Sequence, residues 1–276
     1  MYRFALRPRW VLSHLLVLLL IVAMVEAGFW QLRRLHTRKE HNAEVVARSD
    51  EPVALLTSVA KPSESVDVGS ALEFRKLEAV GRYRTDQQVL VRSRSNNGTP
   101  GFWVLVPLDL GQGKGVVVNR GWVPFSTRTD GSDVRFETPR GRVGVVGLAQ
   151  STTGTAKQAG RQQVTIDHLD LRWYEKYSDL DLYPVALQLI AQTPPQAGDL
   201  PEPLDAPDLS EGPHFSYAVQ WFIFTTIAVV GYPVILFKVA RDKAKEAAWA
   251  VADAGAAVET EAQAGAEEDS ADIPTP

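Results

Sequence analysis

The chain has 276 residues, 45% of them hydrophobic and 22% charged, with a formal net charge of −4. It contains no cysteine, which excludes disulfides, thiolate zinc and iron–sulfur sites, covalently attached haem c, a cysteine nucleophile and a copper chaperone built on a cysteine pair. The charge is unevenly placed: residues 246–276 hold eight acidic side chains and no Lys or Arg, so removing them turns −4 into +4.

Arg3, Arg7 and Arg9 precede an apolar run from Val11 to Trp30, interrupted by His14 and Glu26. About 20 residues are enough to cross a ~30 Å hydrocarbon core. The run ends in Glu26-Ala27-Gly28-Phe29-Trp30-Gln31, not in a small-residue cleavage site. A transmembrane helix over residues 11–31 is therefore favoured over a cleaved signal peptide.

Residues 32–213 are enough for one domain with its own core. Strands are expected over Phe74–Arg84 and Gln88–Ser93, then a hairpin turn at Asn96-Asn97-Gly98-Thr99. Phe102–Leu108 reads as a continuous apolar strand closed by Pro107. Gly115–Asn119 and Arg142–Ala149 are Val-rich strands, Val164–Asp167 a short one and Tyr183–Gln192 the last. Leu169–Tyr177 reads as a short helix with Asp167 or His168 near its start. Ser151–Arg161 reads as a loop, and Thr193–Pro213 as a Pro-rich linker. Many short strands with turn signals predict a small barrel or sandwich, α+β in class, and not a βαβ fold.

A second apolar run, Phe215–Phe237, has 23 residues and no charge. It predicts a transmembrane helix over residues 214–237. No Lys or Arg lies between Tyr177 and Phe237, whereas Lys238, Arg241, Lys243 and Lys245 follow directly. The excess of positive charge places the C-terminus in the cytoplasm, and two spans then place residues 1–10 there too. The expected protein is a multi-pass membrane protein with both termini cytoplasmic and its β-rich domain extracytoplasmic. Residues 238–276 read as an acidic cytoplasmic tail, its first part extending the helix and its end disordered.

No GxSxG, P-loop, HExxH or dinucleotide fingerprint occurs. Gly-Gln-Gly-Lys-Gly at 111–115 has the wrong spacing for a phosphate loop and reads as a hairpin turn. Asn97-Gly98-Thr99 matches a glycosylation sequon but reads as a turn. His168 is expected to be solvated or to cap a helix, and nothing activates a nucleophile, so an enzyme is not expected.

Polar groups within apolar spans are costly and therefore informative. Three stand out: His14, Glu26 and His214. His14 lies roughly 25–30 Å in depth from His214 at about 1.5 Å per residue, so the two cannot share a cofactor. Glu26 lies at a depth similar to His214, where its carboxylate could accept from the imidazole. His214 opens a helical stripe with Tyr217, Trp221 and Phe224. One reading is an interfacial aromatic belt with an incidental histidine, which spacing alone favours. The other is a haem site, an imidazole ligand flanked by rings that pack on a flat macrocycle.

Four blocks resemble the Surfeit locus protein 1 family, the cytochrome c oxidase assembly factors of mitochondria and bacteria. The first is Gly28-Phe29-Trp30-Gln31-Leu32 with Arg34 and Arg38. The second is Val80-Gly81-Arg82-Tyr83, continuing into Val89-Leu90-Val91 and Gly101-Phe102-Trp103-Val104-Leu105-Val106-Pro107-Leu108. The third and most specific is Val118-Asn119-Arg120-Gly121-Trp122-Val123-Pro124. The fourth is His214-Phe215-Ser216-Tyr217-Ala218-Val219-Gln220-Trp221-Phe222. The resemblance covers about Arg9 to Arg241. This chain departs from the family pattern in having Gly212-Pro213 before the histidine and Arg38 where a lysine is common.

The resemblance implies a non-enzymatic factor that assists delivery or insertion of haem a into oxidase subunit I, with subunit I, haem a synthase and the lipid bilayer as partners and no nucleic acid. It places the haem-iron ligand on His214; Tyr217 and Trp221 on the same stripe, Glu26 at matched depth and Trp30 are then expected around the cofactor. Arg34, one helical turn from Arg38, faces haem propionates or lipid phosphates. Trp30 and Trp221 are equally suited to anchoring the helices at the interface. Asn119-Arg120-Gly121-Trp122 reads as the end of a strand in a turn, structural in role, with the glycine at positive φ and the tryptophan in the core. The rival reading is a permanent accessory subunit of a respiratory complex that binds no haem.

Overall fold

The computed structural model describes residues 3–128, 135–152, 156–159 and 164–271; for residues 3, 4, 66, 128, 159 and 253–271 the description is of the backbone alone. The chain divides into two units. One comprises Met1–Lys39 and Ser210–Pro276, the other Glu40–Leu209. The first helix does not stop where its apolar run stops, and the last helix starts at His214.

The first helix, α1 (Pro8–Ser49), spans 42 residues. Its polar second half is rich in Glu, Arg, Lys and Ala, all good helix formers. There follow β1 (Ala54–Leu55), α2 (Leu56–Val59) and α3 (Val66–Leu72), three short elements with no periodic signal in sequence. Then come β2 (Lys76–Tyr83), β3 (Val89–Asn96), β4 (Thr99–Gly111), β5 (Lys114–Pro124), β6 (Val143–Gln150), β7 (Gln158–Ala159) and β8 (Thr165–Ile166). The domain ends with α4 (Leu171–Tyr177) and β9 (Asp181–Thr193), and α5 (His214–Ala271) closes the chain.

The strand order is β1-β2-β6-β9-β5-β4-β3-β8-β7, with a further pairing of β2 with β4. That pairing, Arg82 with Asp109 and Tyr83 with Leu108, closes β2-β6-β9-β5-β4 into a ring. Only the β5–β9 pair in this ring is parallel. The result is a five-stranded barrel of the OB kind, with β3, β8 and β7 extending one side.

β4 serves two neighbours in turn. Its first half pairs with β3 as far as Leu105, and its last residues pair with β2. Pro107 stands between these two stretches, where its carbonyl accepts from Arg84 N at 2.8 Å. It does not close the strand, as the sequence suggested, because it falls where β4 changes partner and its missing N–H breaks neither ladder.

Two hairpins carry the predicted turn chemistry. Asn97 and Gly98 both have positive φ (48° and 78°), as do Gln112 and Gly113 (56° and 72°). Positive φ at both central residues marks the type I′ turn, whose twist matches that of the strands. Gly111-Gln112-Gly113 is thus a turn, and Asp109 braces it by accepting from Gly111 N at 2.7 Å.

Alternation along β5 divides the core. Val116 and Val118 point into the cluster inside the ring with Leu77, Leu108, Val145 and Leu187. Val117 points into a second cluster with Val89, Leu105, Ile166 and Tyr174. Both faces are covered, so these strands read as unbroken apolar runs and not as alternating ones.

α4 begins at Asp170, not at Asp167 or His168. The Asp170 carboxylate accepts from Arg172 N (2.9 Å) and Trp173 N (3.2 Å), and from Ala156 N at 2.7 Å. Asp167 instead pairs with His168 at 2.8 Å. Of the loop expected over Ser151–Arg161, residues 153–155 and 160–161 lie outside the described residues, and Gln158–Ala159 form β7. The stretch from Thr193 to α5 is irregular as expected, apart from one bridge, Glu202 to Trp122. The acidic tail differs from the expectation. α5 continues helical through Ala271, its Ala- and Glu-rich composition favouring that state.

Tyr174 ties the second cluster to the barrel. Fully buried, it donates its hydroxyl proton to Gln87 O at 2.7 Å, with Leu105 O at 3.4 Å. Burial raises its pKa well above the ordinary 10.0. A raised folded-state value contributes stability that is complete below the unfolded value of about 10 and is lost as pH rises above it. Tyr174→Phe should cost about 1–3 kcal/mol at neutral pH, since it leaves buried carbonyls unpaired. In thermal melts from pH 8 to 11, the variant should lose less stability above pH 10 than the wild type does.

Candidate functional site

The polar residues singled out in the apolar helices belong to one unit, in which α1 and α5 pair. The shielded positions of α1 recur at His14, Val17, Ile21, Met24, Gly28, Gln31 and Leu35. Those of α5 recur at His214, Ala218, Trp221, Thr225, Ala228 and Tyr232. Both series step by three and four, the heptad spacing of helices that pack at a shallow angle. Contacts between Gln31 and His214, Gly28 and Phe222, and His14 and Tyr232 run in opposite directions along the two helices, so the pair is antiparallel.

Gly28 leaves room on α1 for the Phe222 ring of α5. A Cβ built on it would lie 2.8 Å from the Phe222 ring, and the neighbouring Phe29 meets the same ring edge-on at 5.5 Å between centroids. Small residues allow this approach where helices gain nothing from excluding water. Away from the seam, large side chains such as Leu12, Leu19, Ile227 and Val234 are more than half exposed. Both helices are long and apolar enough to cross a membrane.

Each end of the seam carries a histidine. His14 Nδ1 lies 2.7 Å from the Tyr232 hydroxyl and its Nε2 lies 3.2 Å from Ala5 O. The carbonyl accepts only, so Nε2 carries the proton and Nδ1 accepts from the tyrosine. Both nitrogens of His14 are thereby engaged. At the other end, His214 Nδ1 lies 2.9 Å from Gln31 Oε1. An amide oxygen also accepts only, so Nδ1 carries the proton and Nε2 presents a lone pair. Among the described residues, Nε2 makes no hydrogen bond. The two histidines are 17 residues apart in register, roughly 25 Å at about 1.5 Å per residue.

Glu26 is not the partner of His214. It is exposed and lies 3.8 Å from Arg33, one ridge away from the seam. Gln31 holds the place that Glu26 was expected to hold. Gln31 carries no signal by residue type alone; the three–four spacing from His14 through Gly28 puts it on the seam. Tyr217 is 48% exposed and Trp30 is 55% exposed, while Trp221 is half-buried against Phe224 at 6.2 Å. Arg34 is exposed and makes no ion pair among the described residues, whereas Arg38 Nε donates to Ser210 O at 3.1 Å. The structure thus brings His214, Gln31, Gly28 and Phe222 together, and leaves Trp30, Arg34 and Tyr217 on the outer surface of the helix pair.

The Asn119-Arg120-Gly121-Trp122 block lies inside β5 and not in a turn. The ladder to β4 slips between the Trp103–Trp122 and Leu105–Asn119 pairs, so the block forms a bulge. Gly121 has φ +134°, and a Cβ there would lie 2.0 Å from Glu202 O. Trp122 is buried and donates from Nε1 to Arg94 O at 3.0 Å.

The SURF1 family model matches residues 18–226. An uncharacterised SURF1-like protein of Mycobacterium tuberculosis is 28% identical over 253 residues, which is 89% of this chain and 90% of that protein. A SURF1-like protein of Rickettsia bellii is 23% identical over 227 residues, 80% of this chain and 90% of that one. One from Dictyostelium discoideum is 34% identical over 98 residues, 34% of this chain and 36% of that protein.

The close approach at Gly28 generates a direct expectation. Gly28→Val should lower the stability of the helix pair by about 1–3 kcal/mol through overpacking, and adding Phe222→Ala should restore part of that loss. Thermal unfolding of the full chain in detergent, followed by circular dichroism, reads both.

Proposed function

The chain belongs to the SURF1 family, the cytochrome c oxidase assembly factors, and on that footing we propose that it helps deliver haem a to subunit I of a haem–copper oxidase and insert it there. Haem a is cargo in this reading, received from its synthase and passed on. His214 is the iron ligand. The observation that supports this is the hydrogen bond from His214 Nδ1 to Gln31 Oε1, which leaves Nε2 with no hydrogen-bond partner among the described residues. A hydrogen-bonded Nδ1–H also holds the ring orientation and strengthens the imidazole as a donor to iron.

The surroundings fit a flat, amphipathic macrocycle. Tyr217 and Trp221 follow His214 on α5, and Trp30 offers an exposed ring next to Gln31 on α1. Arg34 carries a free positive charge suited to a propionate or to a lipid phosphate. No catalytic step is assigned to any of these groups.

The same reading sets the protein in a bacterial plasma membrane, with α1 and α5 spanning it. Lys238, Arg241, Lys243 and Lys245 directly after the second apolar run support a cytoplasmic C-terminus. The N-terminus is then on the same side and the barrel domain outside. His214 accordingly lies at the outer end of its span.

The test is spectroscopic. Wild type purified from cells that make haem a should carry it, and His214→Ala should carry none. Gln31→Leu should weaken binding roughly 10–100-fold, the usual range for the loss of a group that orients a ligating histidine. Glu26→Gln should bind as the wild type does. Equal haem a in wild type and His214→Ala would remove the assignment. Deleting the gene should deplete assembled oxidase; stable one-to-one co-purification with mature oxidase, without haem a, would instead favour a permanent accessory subunit.

A further inference from the structure

Arg120 is among the largest fully buried side chains, 1% exposed, in the middle of the apolar strand β5. Its Nη1 donates to Phe136 O at 3.2 Å, and its Nη2 donates to Glu137 O at 2.8 Å and to Gln196 Oε1 at 2.6 Å. The guanidinium lies 5.4 Å from the centre of the Tyr83 ring. Its Nε has no partner among the described residues. Every acceptor is neutral: Glu137 offers its backbone carbonyl, and among the described residues no carboxylate pairs with Arg120. Burial pushes its pKa down and that of Tyr83 up, yet an arginine stays charged at any ordinary pH.

A buried cation without a counter-ion is costly. A second orphan stands beside it. Gln192 accepts from the Tyr83 hydroxyl at 2.9 Å, while its Nε2 is buried without a partner among the described residues. Arg120, Gln192 and Gln196 line one cavity of about 330 Å³ with Leu189, Ile190, three prolines and Asp199. Asp199 is exposed and forms no ion pair with Arg120 among the described residues. The size is that of a small-ligand pocket: mostly apolar walls with a few convergent polar groups.

We propose that this cavity binds a small organic carboxylate carried on an apolar body, its oxygens replacing Gln196 Oε1 on Arg120 Nη2 and reaching Gln192 Nε2. The planar carboxylate matches the guanidinium fork. A single negative charge balances the single buried cation, whereas a dianion such as phosphate would leave charge stranded against leucine, isoleucine and proline. Gln196 acts as the internal stand-in. It sits in irregular chain, and its Nε2 donates only to Gly198 O (2.9 Å) and Pro201 O (3.3 Å), so its side chain turns aside without breaking a sheet ladder. The proposal does not rest on the haem reading.

The experiment uses the full-length protein in lipid nanodiscs and follows its thermal unfolding. Sodium butyrate, compared with sodium chloride at equal ionic strength, should raise the melting temperature saturably by about 2–4 °C, and neutral butyramide should not. Gln196→Ala, which removes the internal competitor, should reach half-saturation at a lower butyrate concentration. Gln196→Glu, which supplies a built-in carboxylate, should melt higher than wild type without ligand and gain nothing from butyrate. A wild type that shows no saturable response, a Gln196→Glu variant that responds like wild type, or inorganic phosphate acting more strongly than butyrate would each overturn the proposal.

Discussion

The register of α1 against α5 is the constraint on which the candidate site depends. Gly28 carries no Cβ, and the Phe222 ring fills the space one would take. With that contact fixed, the three–four spacing places Gln31 opposite His214 and His14 opposite Tyr232. Polar groups in an apolar helix pair must find each other or remain unpaired, so these two hydrogen bonds also select the register. Their consequences differ. The tyrosine and the Ala5 carbonyl use both nitrogens of His14, which makes it a structural tie. Gln31 uses one nitrogen of His214, and the other makes no hydrogen bond among the described residues.

The barrel domain shows the same logic in a different medium. Its ring closes because β4 changes partner at Pro107, and its walls are apolar on both faces. Into one wall the chain inserts a guanidinium, held by carbonyls, an amide and an aromatic face, and by no anion among the described residues. The Gly121 bulge makes this possible. It shifts the ladder by one residue at Arg120 and admits the Glu202 carbonyl where any other residue would clash. The irregular chain from Thr193 to Pro203 is thereby stitched onto β5 through Gln196 and Glu202.

Much of this was legible in the sequence. The two apolar helices, the strands and the two glycine turns follow from run length, β-propensity and the need for positive φ at Asn97-Gly98 and Gln112-Gly113. The misses have specific causes. β1, α2 and α3 are too short to show a period. The length of α1 was hidden because helix propensity continues after hydropathy ends, and the helical tail was hidden for the same reason. Glu26 was chosen by depth along the helix, a measure that ignores which face a residue occupies; Gln31 is nearer to His214 because it shares the seam. Arg120 was read as part of a turn because Gly121 follows it. A charge flanked by valines inside a strand was the better signal.

The central claim is that His214 binds the iron of haem a through Nε2 while Gln31 holds its Nδ1 proton. Resonance Raman spectroscopy of the reduced, haem a-loaded protein reads that bond directly. A hydrogen-bonded imidazole is the stronger donor, so wild type should show an iron–imidazole stretch that moves to lower frequency in Gln31→Leu and stays in place in Glu26→Gln. An iron–imidazole stretch that Gln31→Leu leaves unmoved would contradict the account.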